Sequence, residues 1–177
     1  MSSRYQVVLC STAAHLRAAL DIRIKVFHKE QGFPLDTEVD SYDAQSAHFL
    51  LIDTDQGKDT PLGTLRWVPY PPPRSESTAN SDAPVDITSL SLGEPLSASQ
   101  LKHDFLSAGN GKLGRLALVS DTRGKGLGKK TVLDSEEWLR AIMKKDATDA
   151  ADDKTQPKTK VTLRLHSQMQ VIPFYEA

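Results

Sequence analysis

Short runs of β-type residues alternate along this chain with longer stretches of helical spacing. Tyr5–Cys10 is the first such run and reads as a strand. Ser11 or Thr12 then offers a hydroxyl to cap a helix, because the first helical turn leaves N–H groups without a carbonyl partner. From Ala13 to about Lys29, Leu16, Ala19, Leu20, Ile24 and Phe27 recur at spacings of three and four. This spacing predicts an amphipathic helix that breaks near Gly32 and Pro34. Ala47–Ile52 is an apolar run closed by the turn signal Asp53-Thr54-Asp55-Gln56-Gly57, and Leu62–Val68 is a further strand. Residues 46–68 therefore read as a hairpin.

Residues 69–110 differ in kind. Pro69, Pro71, Pro72 and Pro73 stop the strand, and a Ser/Asp/Pro-rich stretch runs to about Leu96. Proline lacks a donor N–H and small polar residues bury little, so an irregular insertion is predicted, with a short helix around Ser97–Leu106 capped by Ser97. Such a stretch is either surface chain or a functional lid. An apolar strand at Lys112–Val119 leads into the glycine-rich turn Ser120–Gly128. Leu127, Val132, Leu139 and Ile142 then keep helical spacing to about Lys145, with Trp138 and Met143 widening the apolar face. Residues 146–159 form a polar linker, Lys160–His166 alternates like a strand, and Met169–Glu176 begins a helix. The order β-α-β-β-(insertion)-β-α-β-α predicts an α/β (α+β) domain, one mixed sheet flanked by helices.

Composition narrows the picture. A chain of 177 residues fits one domain with a real core. A formal net charge of −1 argues against a dedicated nucleic-acid binder, which carries a basic excess. No apolar run approaches bilayer-spanning length, and Met1–Gln6 has no apolar signal region. The single cysteine, Cys10, excludes an internal disulfide and reads as a packing residue on the first strand, consistent with a reducing, cytoplasmic setting. His15, His28, His48, His103 and His166 show no metal-ligand spacing, so no metal is expected.

The turn carries the most chemistry. Gly124, Gly126 and Gly128 leave backbone N–H groups uncovered, and a helix begins there with its partial positive charge. Arg123, Lys125 and Lys129 add basic charge. Together they predict an anion cradle, best suited to a pyrophosphate, although glycines alone would also serve a plain tight turn. A dinucleotide fold would place the loop after the first strand of a βαβ unit, with an acidic residue about twenty positions on; here the loop follows the fourth strand.

This arrangement resembles the GNAT superfamily of acyl-CoA-dependent N-acetyltransferases. The family's Arg/Gln-x-x-Gly-x-Gly/Ala signature is matched by Arg123-Gly124-Lys125-Gly126-Leu127-Gly128. A second signature, Asn followed seven residues on by Tyr, is matched in spacing by Gln168 and Tyr175 within Phe174-Tyr175-Glu176, with Gln in place of Asn. Val26-Phe27-His28-Lys29-Glu30-Gln31, with Glu38-Val39-Asp40 and His48 downstream, resembles the ElaA-related subgroup. The resemblance implies that acetyl-CoA is the cosubstrate, its diphosphate seated on Arg123, Gly124, Lys125, Gly126, Leu127, Gly128 and Lys129. It implies that the backbone of Leu118 and Val119 pairs with the pantetheine arm, and that Gln168 hydrogen-bonds the cosubstrate. Tyr175 would be the catalytic residue that protonates the departing thiolate.

Direct transfer to a primary amine, with a small molecule as the expected acceptor, also needs a group that removes the amine's proton. Glu30, Glu38, Asp40, Asp43, His48 and His166 all qualify by type, and the sequence does not choose among them. A coenzyme A-binding module without turnover, or an enzyme acetylating a protein's amino group, would use the same cradle. Relatives continue past Phe-Tyr-Glu into one or two further strands, whereas this sequence ends at Ala177. An open sheet edge is therefore expected, and with it lower stability or self-association, for instance as a homodimer.

Overall fold

The computed structural model describes residues 4–55, 59–72, 87–144 and 162–165. Within these, β1 (Tyr5–Leu9), β2 (Ala47–Asp53), β3 (Thr60–Pro69) and β4 (Asn110–Leu118) pair successively as antiparallel neighbours. β5 (Thr162–Leu165) joins β4 in parallel, which makes the five-stranded sheet mixed, as the α/β pattern predicts. The helices are α1 (Ala13–Arg23), α2 (Ala98–Ala108) and α3 (Leu127–Ile142). The expected 146–159 linker and Met169–Glu176 helix lie outside the described residues.

Both faces of the sheet are covered, and β2 records this in its continuous burial. Leu50 and Ile52 pack with Leu16, Ala19, Leu20 and Ile24 under α1, while Ala47 and Phe49 pack with Leu101, Phe105 and Leu139 under α2 and α3. Cys10 lies in the α1 layer, 4 % exposed, with burial pushing its thiol up to about 12.

Two helices start as predicted. Thr12 Oγ1 accepts from the His15 N–H at 3.1 Å, and Ser97 Oγ accepts from Gln100 N–H at 3.2 Å. The predicted Ala13–Lys29 helix is not α-helical throughout. It widens after Arg23 into a π-helical turn over Ile24–Glu30, with the Gln31 N–H donating to Val26 O at 3.1 Å. Ile24 and Val26 are buried along this turn. The predicted insertion also contributes to the core. Leu101 and Phe105, one turn apart on α2, are almost fully buried, and Leu92 joins the α1 layer.

β4 carries an irregularity with consequences for everything downstream. Its register to β3 shifts between Thr64 and Arg66, so that Leu65 faces two residues, Arg115 and Leu116. Arg115 takes a left-handed φ of 55°. In a regular strand Leu113 and Ala117 would point the same way. Here Leu113 packs in the α2–α3 layer and Ala117 in the α1 layer, because the extra residue inverts the alternation.

α3 approaches the sheet through small residues. Thr131 and Ser135 are fully buried, and the Trp67 indole N–H donates to Ser135 Oγ at 3.0 Å. Trp138 sets its edge against Phe49 and Phe105, at centroid distances of 5.1 and 6.4 Å. Gly111 makes the close approach possible: a Cβ there would stand 2.9 Å from Leu139 Cδ2 and 3.3 Å from the Trp67 ring. Gly111→Ala should therefore lower the unfolding free energy by about 1–3 kcal/mol through overpacking, measured by urea denaturation.

Candidate active site

The glycine turn borders a cavity of about 490 Å³. Its walls are the end of β4 (Leu116, Ala117, Leu118), the turn and first residues of α3 (Thr122, Arg123, Gly124, Gly126, Leu127, Gly128), and Val26 and Gln31 from the π-helical region. Gly124 and Gly126 have φ of +74° and +73°, which non-glycine residues rarely adopt, while an added Cβ at either would meet open space. Backbone conformation, not crowding, selects glycine here.

α3 differs from α1 and α2 at its start. Gly126 is its N-cap and supplies no side-chain bond; the helical hydrogen bonding begins with Lys130 N–H to Gly126 O at 3.1 Å. The N–H groups of Leu127 and Gly128 thus have no carbonyl one turn back, and both residues line the cavity. Just past β4, the Val119 N–H is donated to Leu62 O at 2.9 Å, toward β3. By strand alternation the Leu118 N–H faces the opposite edge.

Of the residues singled out in the sequence, Leu118, Arg123, Gly124, Gly126, Leu127 and Gly128 converge on the cavity, whereas Val119, Lys125 and Lys129 stand outside its lining. Arg123 donates through Nε to Leu118 O at 2.9 Å and through Nη2 to Glu30 Oε2, joining the turn to the π-helical segment. Lys125 Nζ donates to Asp121 O at 2.8 Å. Gln168, Tyr175 and His166 lie outside the described residues. Among the described residues, no His, Cys, Asp or Glu cluster could hold a metal ion, and no helix is long and apolar enough to cross a membrane.

The remaining base candidates occupy a buried ionic network beneath α1. Asp43 accepts from Arg23 Nη1 at 2.7 Å and from Arg66 Nη1. Asp40 accepts from Arg66 at 2.7 and 2.6 Å and from Arg115 Nη2 at 3.1 Å. Burial works to raise both carboxyls, but these guanidiniums outweigh it and hold Asp40 and Asp43 below the usual carboxylate range. Burial pushes His48 down to about 4; the neutral ring donates from Nε2 to Asp43 O at 2.9 Å. Glu38 is the exception. It is fully buried, neither carboxylate oxygen has a hydrogen-bond partner among the described residues, and Arg23 Nε stands 4.0 Å away. Burial raises its pKa, opposed in part by Arg115, Arg23 and His28.

Sequence reasoning missed Arg23, Arg66 and Arg115. A signal for two of them was present: Arg23 falls on the apolar stripe of α1, three residues after Leu20, and Arg66 interrupts the apolar run of β3.

The sign of the Glu38 shift gives a test. An acid whose folded pKa lies above its unfolded value stabilises the fold at low pH and loses that contribution as pH rises through the folded pKa. Glu38→Gln should leave stability at pH 3.5 nearly unchanged and raise it at pH 8, as read by chemical denaturation at the two pH values.

Solved structures of other proteins share this architecture. A candidate N-acetyltransferase of Lactobacillus plantarum superposes with a TM-score of 0.57 at 19% identity, over 98% of this chain and 82% of that one. ElaA of Escherichia coli gives a TM-score of 0.53 at 18% identity, over 97% and 82%. No protein-family model and no curated protein matches the sequence. Likeness at such identity speaks to architecture, and in architecture this chain has the GNAT fold, the one its Arg123–Gly128 turn predicts.

Proposed function

We propose that this chain transfers the acetyl group of acetyl-CoA directly to a primary amine of a small molecule, in the cytoplasm. The observation that carries this is the uncapped start of α3 opening on the same cavity as the Leu116–Leu118 edge of β4. Convergent N–H groups and a helix dipole bind a diphosphate with no dedicated side chain. An exposed strand edge takes an extended amide-bearing arm as an added strand. Coenzyme A offers both features in one molecule, and the GNAT fold of the two solved structures supports the match.

In the reaction the amine, after losing a proton, attacks the thioester carbonyl carbon. Charge develops on the carbonyl oxygen, where the Leu118 N–H is suited to receive it. The C–S bond then breaks, and the thiolate takes a proton, the role proposed for Tyr175. Gln168 is proposed as a hydrogen-bonding contact to the cosubstrate. Direct transfer is favoured over an acyl-enzyme on Cys10, since a buried thiol pushed up to about 12 supplies almost no thiolate at neutral pH.

Isothermal titration should show saturable binding of coenzyme A and acetyl-CoA to the full chain. Gly126→Asp should weaken it by about a hundredfold or more, because a carboxylate at the N-cap occupies the N–H groups of the first turn and repels the diphosphate. Thiol release across a panel of amines then separates turnover from binding alone. Absence of any heat, and of any melting shift at millimolar coenzyme A, would overturn the assignment.

A further inference from the structure

The residues that line the cavity on β4 begin at Leu116, the second residue of the bulge, and the bulge has an anchor outside the strand. Arg115, with φ of 55°, sits in a conformation that a side-chain-bearing residue adopts only when something holds it. Its Nη2 donates to Thr37 O at 2.7 Å and to Asp40 Oδ2 at 3.1 Å. Asp40 is itself fixed: Arg66 grips both its oxygens from β3, its backbone N–H donates to Asp43 Oδ2 at 2.9 Å, and its Oδ1 accepts from the Tyr42 N–H at 3.0 Å. Arg66 is in turn the register partner of Gly114, the last residue before the bulge. One carboxylate therefore ties the inserted residue to β3 at the position facing Gly114.

The inserted residue also decides which amides reach the cavity. Backbone N–H groups alternate between the two edges of a strand, so a single extra residue exchanges the set facing β3 for the set facing the cavity. With the bulge in place, Val119 donates to Leu62 and Leu118 faces the cavity. Without it, that assignment would be reversed.

We propose that Asp40, acting through Arg115, is a positioning residue of the cavity: it holds the β4 bulge that turns the Leu118 N–H toward the ligand. The ligand in this statement rests on the coenzyme A reading above; the holding of the bulge does not. Arg115 is also a cation, and a direct pull on an anionic ligand would be the simpler role. The two roles separate at Arg115→Gly, since glycine accepts a φ of 55° without an anchor whereas alanine does not.

The test compares the full-length wild type with Asp40→Asn, Arg115→Ala and Arg115→Gly, using coenzyme A titration and amide hydrogen exchange. Asp40→Asn and Arg115→Ala should weaken coenzyme A binding at least tenfold and speed exchange in Gly114–Leu118, leaving β1 and β2 as in the wild type. Arg115→Gly should bind within threefold of the wild type. Equal losses in the glycine and alanine variants would mean a plain charge effect and overturn the proposal, as would unchanged exchange in Gly114–Leu118. If Asp40→Asn does not fold, the Arg115 pair alone decides the matter. A wild type that binds no coenzyme A, while exchange responds as described, would overturn the cosubstrate reading and support the role of Asp40 in holding the bulge.

Discussion

The Asp43 carboxylate, held between Arg23 of α1 and Arg66 of β3, is the contact on which the α1 side of the molecule depends. Side chains at both ends of this interaction are withdrawn from water, so removing one member leaves a buried charge uncompensated, at a cost of about 3–5 kcal/mol. Attraction alone does not repay the desolvation of such groups; hydrogen bonds to the remaining atoms must help. The Asp40 N–H supplies one to Asp43 Oδ2 and the His48 ring holds the Asp43 backbone carbonyl, while Arg23 Nε and Arg66 Nε stay without a hydrogen-bond partner among the described residues. The result is directional, fixing the Asp40–Asp43 loop against the sheet where apolar packing would leave it free to slide.

Much of this architecture can be read from local pattern. The caps at Thr12 and Ser97, the amphipathic stripe of α1 and the paired runs of β2 and β3 are short-range properties, set by residues within a turn or two of one another. So is the glycine turn, because the left-handed φ at Gly124 and Gly126 is a demand that sequence answers locally. The ionic network is different. Arg23 and Asp43 are 20 positions apart, and Arg66 and Asp43 are 23. A charged residue on an apolar stripe signals that a partner exists, but only the folded chain says which one.

The bulge at Arg115 was hidden for another reason. Leu113, Arg115 and Ala117 fall on alternate positions, a spacing that looks like ordinary strand periodicity. The inversion becomes visible only when the layers are known and Leu113 and Ala117 are found on opposite faces. The π-helical turn escaped notice similarly, since apolar residues at Ile24 and Phe27 fit an α-helical repeat as well as the wider one. Contrast among the helices is informative too: α1 and α2 satisfy their first turns with their own hydroxyls, while α3 forgoes that stabilisation at the edge of the cavity.

Inversion of the strand's two faces imposes a rule of parity on the chain. Adding or losing one residue between Leu113 and Ala117 would send the alanine to the wrong layer and swap the edges served by every following amide. Changes of two would preserve both. Over this interval the length of the gene is constrained to move by even counts of codons.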